Sequence, residues 1–376
     1  MKYKFEDIIF NITEKKKPVE EDKYNYIGLE HLESGNLFIS KWGSDTAPEG
    51  EKIVMKKGDV LFGKRRAYQK KVAISPIDGI FSAHGMVLRP KEDVICKEFL
   101  PFFISSETFL NEAIRISVGG LSPTVNWKDI RELEFDLPSL AVQKVLAEKL
   151  WAAYEVKQSY LKMIDATQEM VKAQFIEMFG GLTNNIPLSD IIEVTFPGEW
   201  GEDDNEGTGI KVIRTTNFTN IGKINLKDVV TRKIDSVKIS KKKLQKGDII
   251  LERSGGTNEN PVGRVVYFNE DGDFLFNNFT QLLRCKSSYN SIFVFYALFS
   301  YYQSNKSALR QMAKKTTGIM NLKMDDYWKI PIPDVDMNKQ DAFVEIYNQA
   351  DNSISELRKS IDAIDKVIKS LINENL

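Results

Sequence analysis

Two long stretches of this chain place apolar residues in alternating steps of four and three. In the C-terminal stretch Phe343, Tyr347, Ala350, Ile354, Leu357, Ile361, Ile364, Ile368 and Leu371 keep that rhythm, with neither Pro nor Gly from Asn338 to Leu376. The pattern predicts one continuous helix with a heptad seam. The central stretch gives Leu146, Leu150, Ala153, Lys157, Tyr160, Ile164, Thr167, Val171, Gln174 and Met178 in the same steps, and Gly180-Gly181 supplies a stop. Lys157, Thr167 and Gln174 interrupt this second seam. A helix of about 35 residues is about 52 Å long, and each buried apolar seam residue contributes roughly 1.5–3 kcal/mol. Each stripe therefore needs a partner, and the other stripe of the same chain is the nearest one. An antiparallel two-helix coiled coil is the expected result.

Ahead of each heptad stretch the pattern is mixed. Short runs such as Tyr26-Ile27-Gly28-Leu29, Asp59-Val60-Leu61-Phe62 and Ile249-Ile250-Leu251 read as strands entered from Gly-Asp turns. Lys97 to Ile116 and Ser291 to Met312 have helical spacing and many aromatics, as core helices on a sheet would. Gly119 to Thr124 and Thr316 to Ile319 read as loops, each followed by a short strand that ends in proline.

These segments correspond in pairs. Lys57-Gly58-Asp59-Val60-Leu61 returns as Lys246-Gly247-Asp248-Ile249-Ile250, an offset of 189 residues in a chain of 376. Asp7-Ile8-Ile9 returns as Asp190-Ile191-Ile192, and Asn126-Trp127-Lys128 as Asn321-Leu322-Lys323. So long a period is a duplicated domain and not a solenoid. The fold class expected is α+β: two globular domains, 1–138 and 183–335, with heptad helices at 139–182 and 336–376 as an antiparallel spacer and a pseudo-two-fold internal repeat.

Composition narrows the function. With 42% hydrophobic residues the chain can bury more than one core. No apolar run approaches the roughly 20 residues that span a bilayer, and charges occupy the N-terminus where a signal peptide needs apolar residues. Cys96 and Cys285 form no paired motif, and His31 and His84 are too few for a metal cluster. A cytoplasmic setting without membrane contact is expected. Phosphate-loop, dinucleotide, amino-methyltransferase and hydrolase-elbow motifs are absent from the sequence. Asp248 with Glu252-Arg253-Ser254 resembles half of a nuclease site, yet the expected Glu-x-Lys is missing and copy one has Gly63 in place of Glu252.

Charge is balanced overall, 52 basic against 53 acidic, but it is segregated. Lys56 to Lys71 holds seven basic residues against Asp59, and Arg232 to Lys243 holds six against one. Such runs are the electrostatic footprint of a nucleic-acid partner. The candidate DNA-binding residues of copy one are Lys64, Arg65, Arg66, Tyr68, Gln69, Lys70 and Lys71, with Ser122, Thr124 and Asn126. Those of copy two are Arg253, Ser254, Thr257, Asn258 and Arg264, with Lys314, Lys315, Thr316 and Thr317. Lysines suit phosphates, whereas Arg, Asn and Gln can address base edges.

The duplicated order of Lys-Gly-Asp turn, apolar strand, Leu137-Pro138 or Ile332-Pro333, glutamine (Gln143, Gln340) and heptad helix resembles the DNA-specificity subunit of type I restriction–modification systems. The resemblance covers essentially the whole chain. It implies two target-recognition domains reading unlike halves of a split double-stranded DNA sequence, about one DNA turn apart. It also implies no catalytic site and no cofactor in this chain. Two methyltransferase subunits with S-adenosylmethionine, and ATP- and magnesium-dependent restriction/translocase subunits, would be its partners. A coiled-coil scaffold that binds no DNA and a stand-alone DNA-modifying enzyme are the rival readings.

Overall fold

The structure, a computed structural model, describes every residue except Thr317 and the side chain of Thr316. The chain forms two compact units: Met1–Met163 with Glu356–Leu376, and Ile164–Ser355. Two long helices, α1 (Leu140–Phe179) and α2 (Met337–Asn373), each contribute to both units. The change to helix near Pro138 and Pro333 is therefore as expected, while the compact units take in parts of each helix.

Unit 1 is built on an antiparallel sheet of β1 (Ile9–Ile12), β2 (Val60–Phe62), β3 (Val72–Ile74) and β4 (Met86–Pro90), in the order β1-β4-β2-β3. A second four-stranded sheet, Lys15–Lys16, Lys52–Met55, Gly79–Phe81 and Tyr26–Ile27, lies on one face. Alternation along the strands divides the side chains. Leu61, Ala73 and Val87 pack toward the second sheet, while Val60, Phe62, Val72, Met86 and Leu88 pack toward helices. The central strands are buried on both faces, which explains why they read as unbroken apolar runs. The helical layer is aromatic, with Phe103 and Phe109 against Phe5 and Phe135. It is two helices where the spacing predicted one: Leu100–Ser105 and Glu107–Arg115 are broken at Ser106, whose Oγ accepts the Phe109 N–H at 3.1 Å.

Unit 2 repeats this plan. Its sheet contains β5 (Ile192–Val194), β6 (Ile249–Glu252), β7 (Val265–Tyr267) and β8 (Thr280–Cys285) in the order β5-β8-β6-β7. Ile250, Val266 and Leu282 face the second sheet; Ile249, Leu251, Val265 and Leu283 face the helices. The aromatic helix is again broken, into Ser291–Ser304 and Lys306–Gln311. Thr316 and Ile319, expected in a loop, pair with each other in a hairpin of Ala313–Thr316 with Ile319–Leu322.

In both units the strand before the long helix pairs with the first strand of the copy. Tyr3 pairs with Phe135 in unit 1, and Ile186 with Ile332 in unit 2. Phe135 thus corresponds to Ile332, and the helix-starting Asn126 to Lys323. The sequence match of Asn126 with Asn321 is therefore two residues out, because insertions in copy two shift the copies by different amounts along their length. Gln143 and Gln340 do correspond. Gln143 is fully buried; its Oε1 accepts the Cys96 N–H at 2.8 Å and its Nε2 donates to Val94 and Pro138 carbonyls. Gln340 accepts the Asn290 N–H at 2.8 Å and donates to the Val335 carbonyl. One amide per copy fastens the helix start to its own domain.

The α2 seam is as the pattern predicts: Phe343, Ala350 and Ile361 are buried, and Tyr347, Ile354, Leu357, Ile364, Ile368 and Leu371 partly so. On α1 the seam needs correction. Leu146, Leu150, Ile164 and Val171 are buried, with Met178 and Tyr160 partly so, but alternate seam positions lie one residue further along than expected. Tyr154 and Phe175 are buried where Ala153 and Gln174 were assigned. The reason is packing on the globular part. Tyr154 meets Phe38 and Phe102 in unit 1, and Phe175 meets Tyr296 and Phe343 in unit 2. The polar seam position Lys157 forms a 2.6 Å ion pair with Asp365 within unit 1.

Candidate nucleic-acid interface

The Lys-Gly-Asp turn is structural in both copies. Gly58 and Gly247 adopt positive φ, 91° and 97°, where glycine avoids the steric cost of a Cβ. The turn buries the aspartate that follows. Asp59 accepts the Lys56 N–H at 2.7 Å and a fork from Arg89 on β4 at 2.6 and 2.8 Å. Asp248 accepts the Gln245 N–H at 2.7 Å and the Arg284 fork on β8 at 2.7 Å twice. The carboxylate bonds hold both guanidinium groups above the ordinary arginine range, against a smaller opposing effect of burial. These arginines went unnoticed in the sequence. The available signal was an arginine late in each copy, needed once the turn's aspartate is recognised as buried.

In unit 1 the loop leaving β2 meets the loop before the short helix Trp127–Ile130. The Val125 N–H donates to the Lys64 carbonyl at 3.0 Å and the Arg66 N–H to the Pro123 carbonyl at 2.7 Å, and Arg65 bridges to Thr124. Two segments predicted separately, 64–71 and 122–126, therefore form one surface. Arg66 and Lys70 flank a tight turn, Ala67–Gln69, and both are left-handed, with φ of 56° and 50°. Non-glycine residues in that region cost about 1–2 kcal/mol each. The turn holds Tyr68 exposed, with Leu121 and Val118 exposed on the neighbouring loop. Arg66 Nε donates to Ser122 Oγ at 3.2 Å. Lys64 is half-buried, and burial, then the charge of Lys15, lowers its pKa. Lys71 donates to the Leu29 carbonyl at 2.7 Å, and Asn126 Nδ2 to Asp129 at 3.2 Å; both are engaged within the unit. Among the described residues no carboxylate pairs with Lys64, Arg65, Arg66 or Lys70.

Unit 2 brings together the equivalent segments. The Leu322 N–H donates to the Arg253 carbonyl at 2.8 Å, and Ser254–Gly255 pairs with Met320–Asn321 of the hairpin. Gly255 and Gly256 have φ of 108° and 67°, and a side chain on Gly256 would meet the Val262 and Pro261 backbone. Arg253 is half-buried, Thr257 and Asn258 are exposed, and Lys314 and Lys315 are exposed on the hairpin. Thr317, and the side chain of Thr316, lie outside the described residues.

Two predicted residues turn inward. Ser254 is buried, and its hydroxyl donates to Asn321 at 2.6 Å. Arg264 forms a buried fork with Glu252, at 2.6 and 3.2 Å, and donates to the Thr215 carbonyl. Burial raises the Glu252 pKa, opposed by Arg264. The half-nuclease pattern of Asp248 and Glu252 is thus two carboxylates each held by an arginine. Among the described residues no three of His, Cys, Asp and Glu stand together as a metal site. Lys306 and Arg310, missed in the sequence, donate to the Glu259 and Asn258 carbonyls and add charge beside this loop. Nothing in the linear pattern joins them to residues 253–258; only the hairpin and the broken helix do.

The second basic run also needs correction. Arg232 pairs with Asp203, Lys233 with Glu206, Lys238 and Lys242 with Glu199, and Lys243 with Asp273. That run is neutralised within the unit.

The sequence pattern of the type I restriction modification DNA specificity domain matches residues 2–159 and 183–365, once per copy. The chain belongs to this family. It is 23% identical over 244 residues to the EcoKI specificity subunit of Escherichia coli K12, covering 59% of this chain and 50% of that protein. It is 25% identical over 266 residues to the StySPI specificity subunit of Salmonella potsdam, covering 62% and 53%. The chain spans about half the length of these curated relatives. Its fold is similar to a crystal structure of the type I S subunit from M. genitalium, with a TM-score of 0.55, 14% identity and coverage of 99% and 94%. It is likewise similar to a chain from a study of type I system assembly and conformational transition, with a TM-score of 0.54, 16% identity and coverage of 100% and 97%. No described helix is long and apolar enough to cross a membrane.

Proposed function

We propose that this chain is the sequence-reading subunit of a type I restriction–modification complex, each unit addressing one half of a bipartite, asymmetric double-stranded DNA target. The observation that carries the reading is the unit 1 surface. There Lys64, Arg65 and Arg66 meet the loop of Ser122 and Thr124, with Lys70 closing the same turn, and among the described residues no carboxylate forms an ion pair with these four cations. A cationic surface without internal counter-ions suits a polyanion. The corresponding face of unit 2 presents different side chains on the same frame, as a reader of a different half-site would. Two methyltransferase subunits and the restriction/translocase subunits are the partners in this reading, working on cytoplasmic DNA. S-adenosylmethionine, ATP and magnesium belong to those subunits. The outward side of α1 supports such docking in each unit, with Val142, Val145 and Val156 exposed in one, and Met170 and Ile176 in the other.

A binding selection from random duplexes tests the reading, using the chain purified together with its methyltransferase. A split motif should be enriched, and Y68A with Q69A should relax one half while leaving the other. Enrichment of no motif, or relaxation of both halves together, overturns it.

A further inference from the structure

His84 lies outside every segment the sequence pattern assigned to DNA, yet the fold delivers it to the centre of the cationic face of unit 1. It occupies the turn between the strand Gly79–Phe81 and β4. That turn is closely fixed: the His84 N–H donates to Ser82 Oγ at 3.3 Å, the Gly85 N–H donates to the Ser82 carbonyl at 3.0 Å, and a side chain on Gly85 would meet the Phe81 ring. The Arg65 N–H donates to the His84 carbonyl at 3.1 Å, and Arg65 Nη1 stands 3.3 Å from His84 Nε2. A guanidinium only donates, so this contact requires a neutral imidazole whose Nε2 accepts. The chain has two histidines in all. The other, His31, uses Nδ1 to accept the Gly28 N–H at 2.8 Å at a turn where unit 2 uses Asn217 for the same bond.

The groups facing His84 are cations. Arg65 and Lys64 come from the loop after β2 and Lys52 from the neighbouring strand. Lys15 stands by Lys64 and is itself paired with Glu51, and the Tyr26 hydroxyl reaches Ser82. Partial burial, then Arg65, Lys64 and Lys52, hold the imidazole below the ordinary histidine range, and no acidic group opposes them. The Arg65–His84 contact is thus satisfied only while the imidazole is neutral.

Resting on the DNA-binding reading above, we propose that His84 is a phosphate-contacting residue of unit 1, and that it takes up a proton as a DNA phosphate enters between it and Arg65. An anion beside the ring reverses the electrostatic balance and favours the imidazolium, which can donate from both nitrogens. The sign follows from linkage. A group that binds its proton more tightly in the complex makes the complex tighter as the pH falls from the bound pKa toward the free one.

The test is the binding of a fluorescent 30-base-pair random duplex by the full chain at fixed salt, from about pH 8 to about pH 6. A full proton uptake tightens binding by up to roughly tenfold per pH unit, and a partial one by roughly threefold across the range. H31N should keep the wild-type pH response, and H84Q, which retains an acceptor for Arg65, should flatten it. Calorimetric titration of the wild type in two buffers of different ionisation enthalpy should give unequal heats. Equal heats, or the same pH response in H84Q and wild type, overturn the proposal. Absence of duplex binding at every pH overturns the DNA-binding reading itself.

Discussion

The two units use one frame and balance their charge in opposite ways. Both have the same strand order in the main sheet, the buried Asp–Arg fork after the Lys-Gly-Asp turn, and the glutamine that fastens the long helix. Both carry a lysine-rich run in their first half. Among the described residues the cations of that run form no ion pair in unit 1, whereas in unit 2 five of its members face Asp203, Glu206, Glu199 and Asp273. Unit 2 instead carries unneutralised cations at Arg253, Lys306, Arg310, Lys314 and Lys315, around the hairpin. A basic run in a sequence becomes a phosphate surface only when its carboxylates lie elsewhere in space. Equivalent positions need not carry equivalent chemistry.

The sharpest way to break this comparison is at Arg264 and its counterpart Lys71, which donate to the Thr215 and Leu29 carbonyls in corresponding turns of their own units. Only Arg264 faces a buried carboxylate. R264A should cost about 4 kcal/mol in denaturant unfolding of unit 2, and K71A under about 1 kcal/mol in unit 1. Burial already raises the Glu252 pKa, so the folded state holds that proton more tightly than the unfolded chain does. The R264A deficit should therefore shrink toward pH 5 and grow toward pH 8. Equal costs at the two sites would erase the distinction.

Next in size is the shared fork. D59A and D248A should each destabilise their own unit by about 3 kcal/mol, because a partly buried guanidinium loses its partner. Hydrogen exchange would localise each loss. If either unit proves indifferent, the common frame is not held by this pair.

The charge contrast gives a smaller, sharper test. R65A with R66A should lower the log–log salt slope of duplex binding by about two, and K238A with K242A should leave it unchanged. Equal slope changes would show that the ion pairs with Glu199 do not neutralise the second run. Smallest is R66G, which removes a left-handed arginine. It should stabilise unit 1 by up to about 1 kcal/mol in thermal unfolding while weakening DNA binding.

Much of this molecule was legible in its letters. The duplication, the strand at each Lys-Gly-Asp turn and the whole α2 seam follow from periodicity, because no other element competes for those side chains. The α1 seam was half legible. Ala153 and Tyr154 both fit the sequence rhythm, and only the rings of Phe38 and Phe102, distant in sequence, favour the tyrosine. The single aromatic helix predicted in each copy missed its break because Ser106 and Asn305 interrupt neither pattern nor composition. In the candidate interface the pairing of 64–71 with 122–126 could not be read, and neither could the burial of Arg264 or the arrival of His84. Each depends on strand register, which brings together residues that share no local signal.

The division of the chain into units has a consequence for how it is made. Ile372 is buried in the core of unit 1, with Ile368, Leu371 and Leu376 packed against it, and Lys369 pairs with Glu107 at 2.9 Å. Unit 2 is continuous, from Ile164 to Ser355. On the ribosome the unit begun first is thus completed last. At ordinary elongation rates its aromatic core waits roughly 10–40 s for the segment that finishes it. Unit 2 can fold as soon as it emerges. A chain released after Ser355 should therefore hold a protease-resistant second unit and an unfinished first one, reversing the usual order of synthesis and folding.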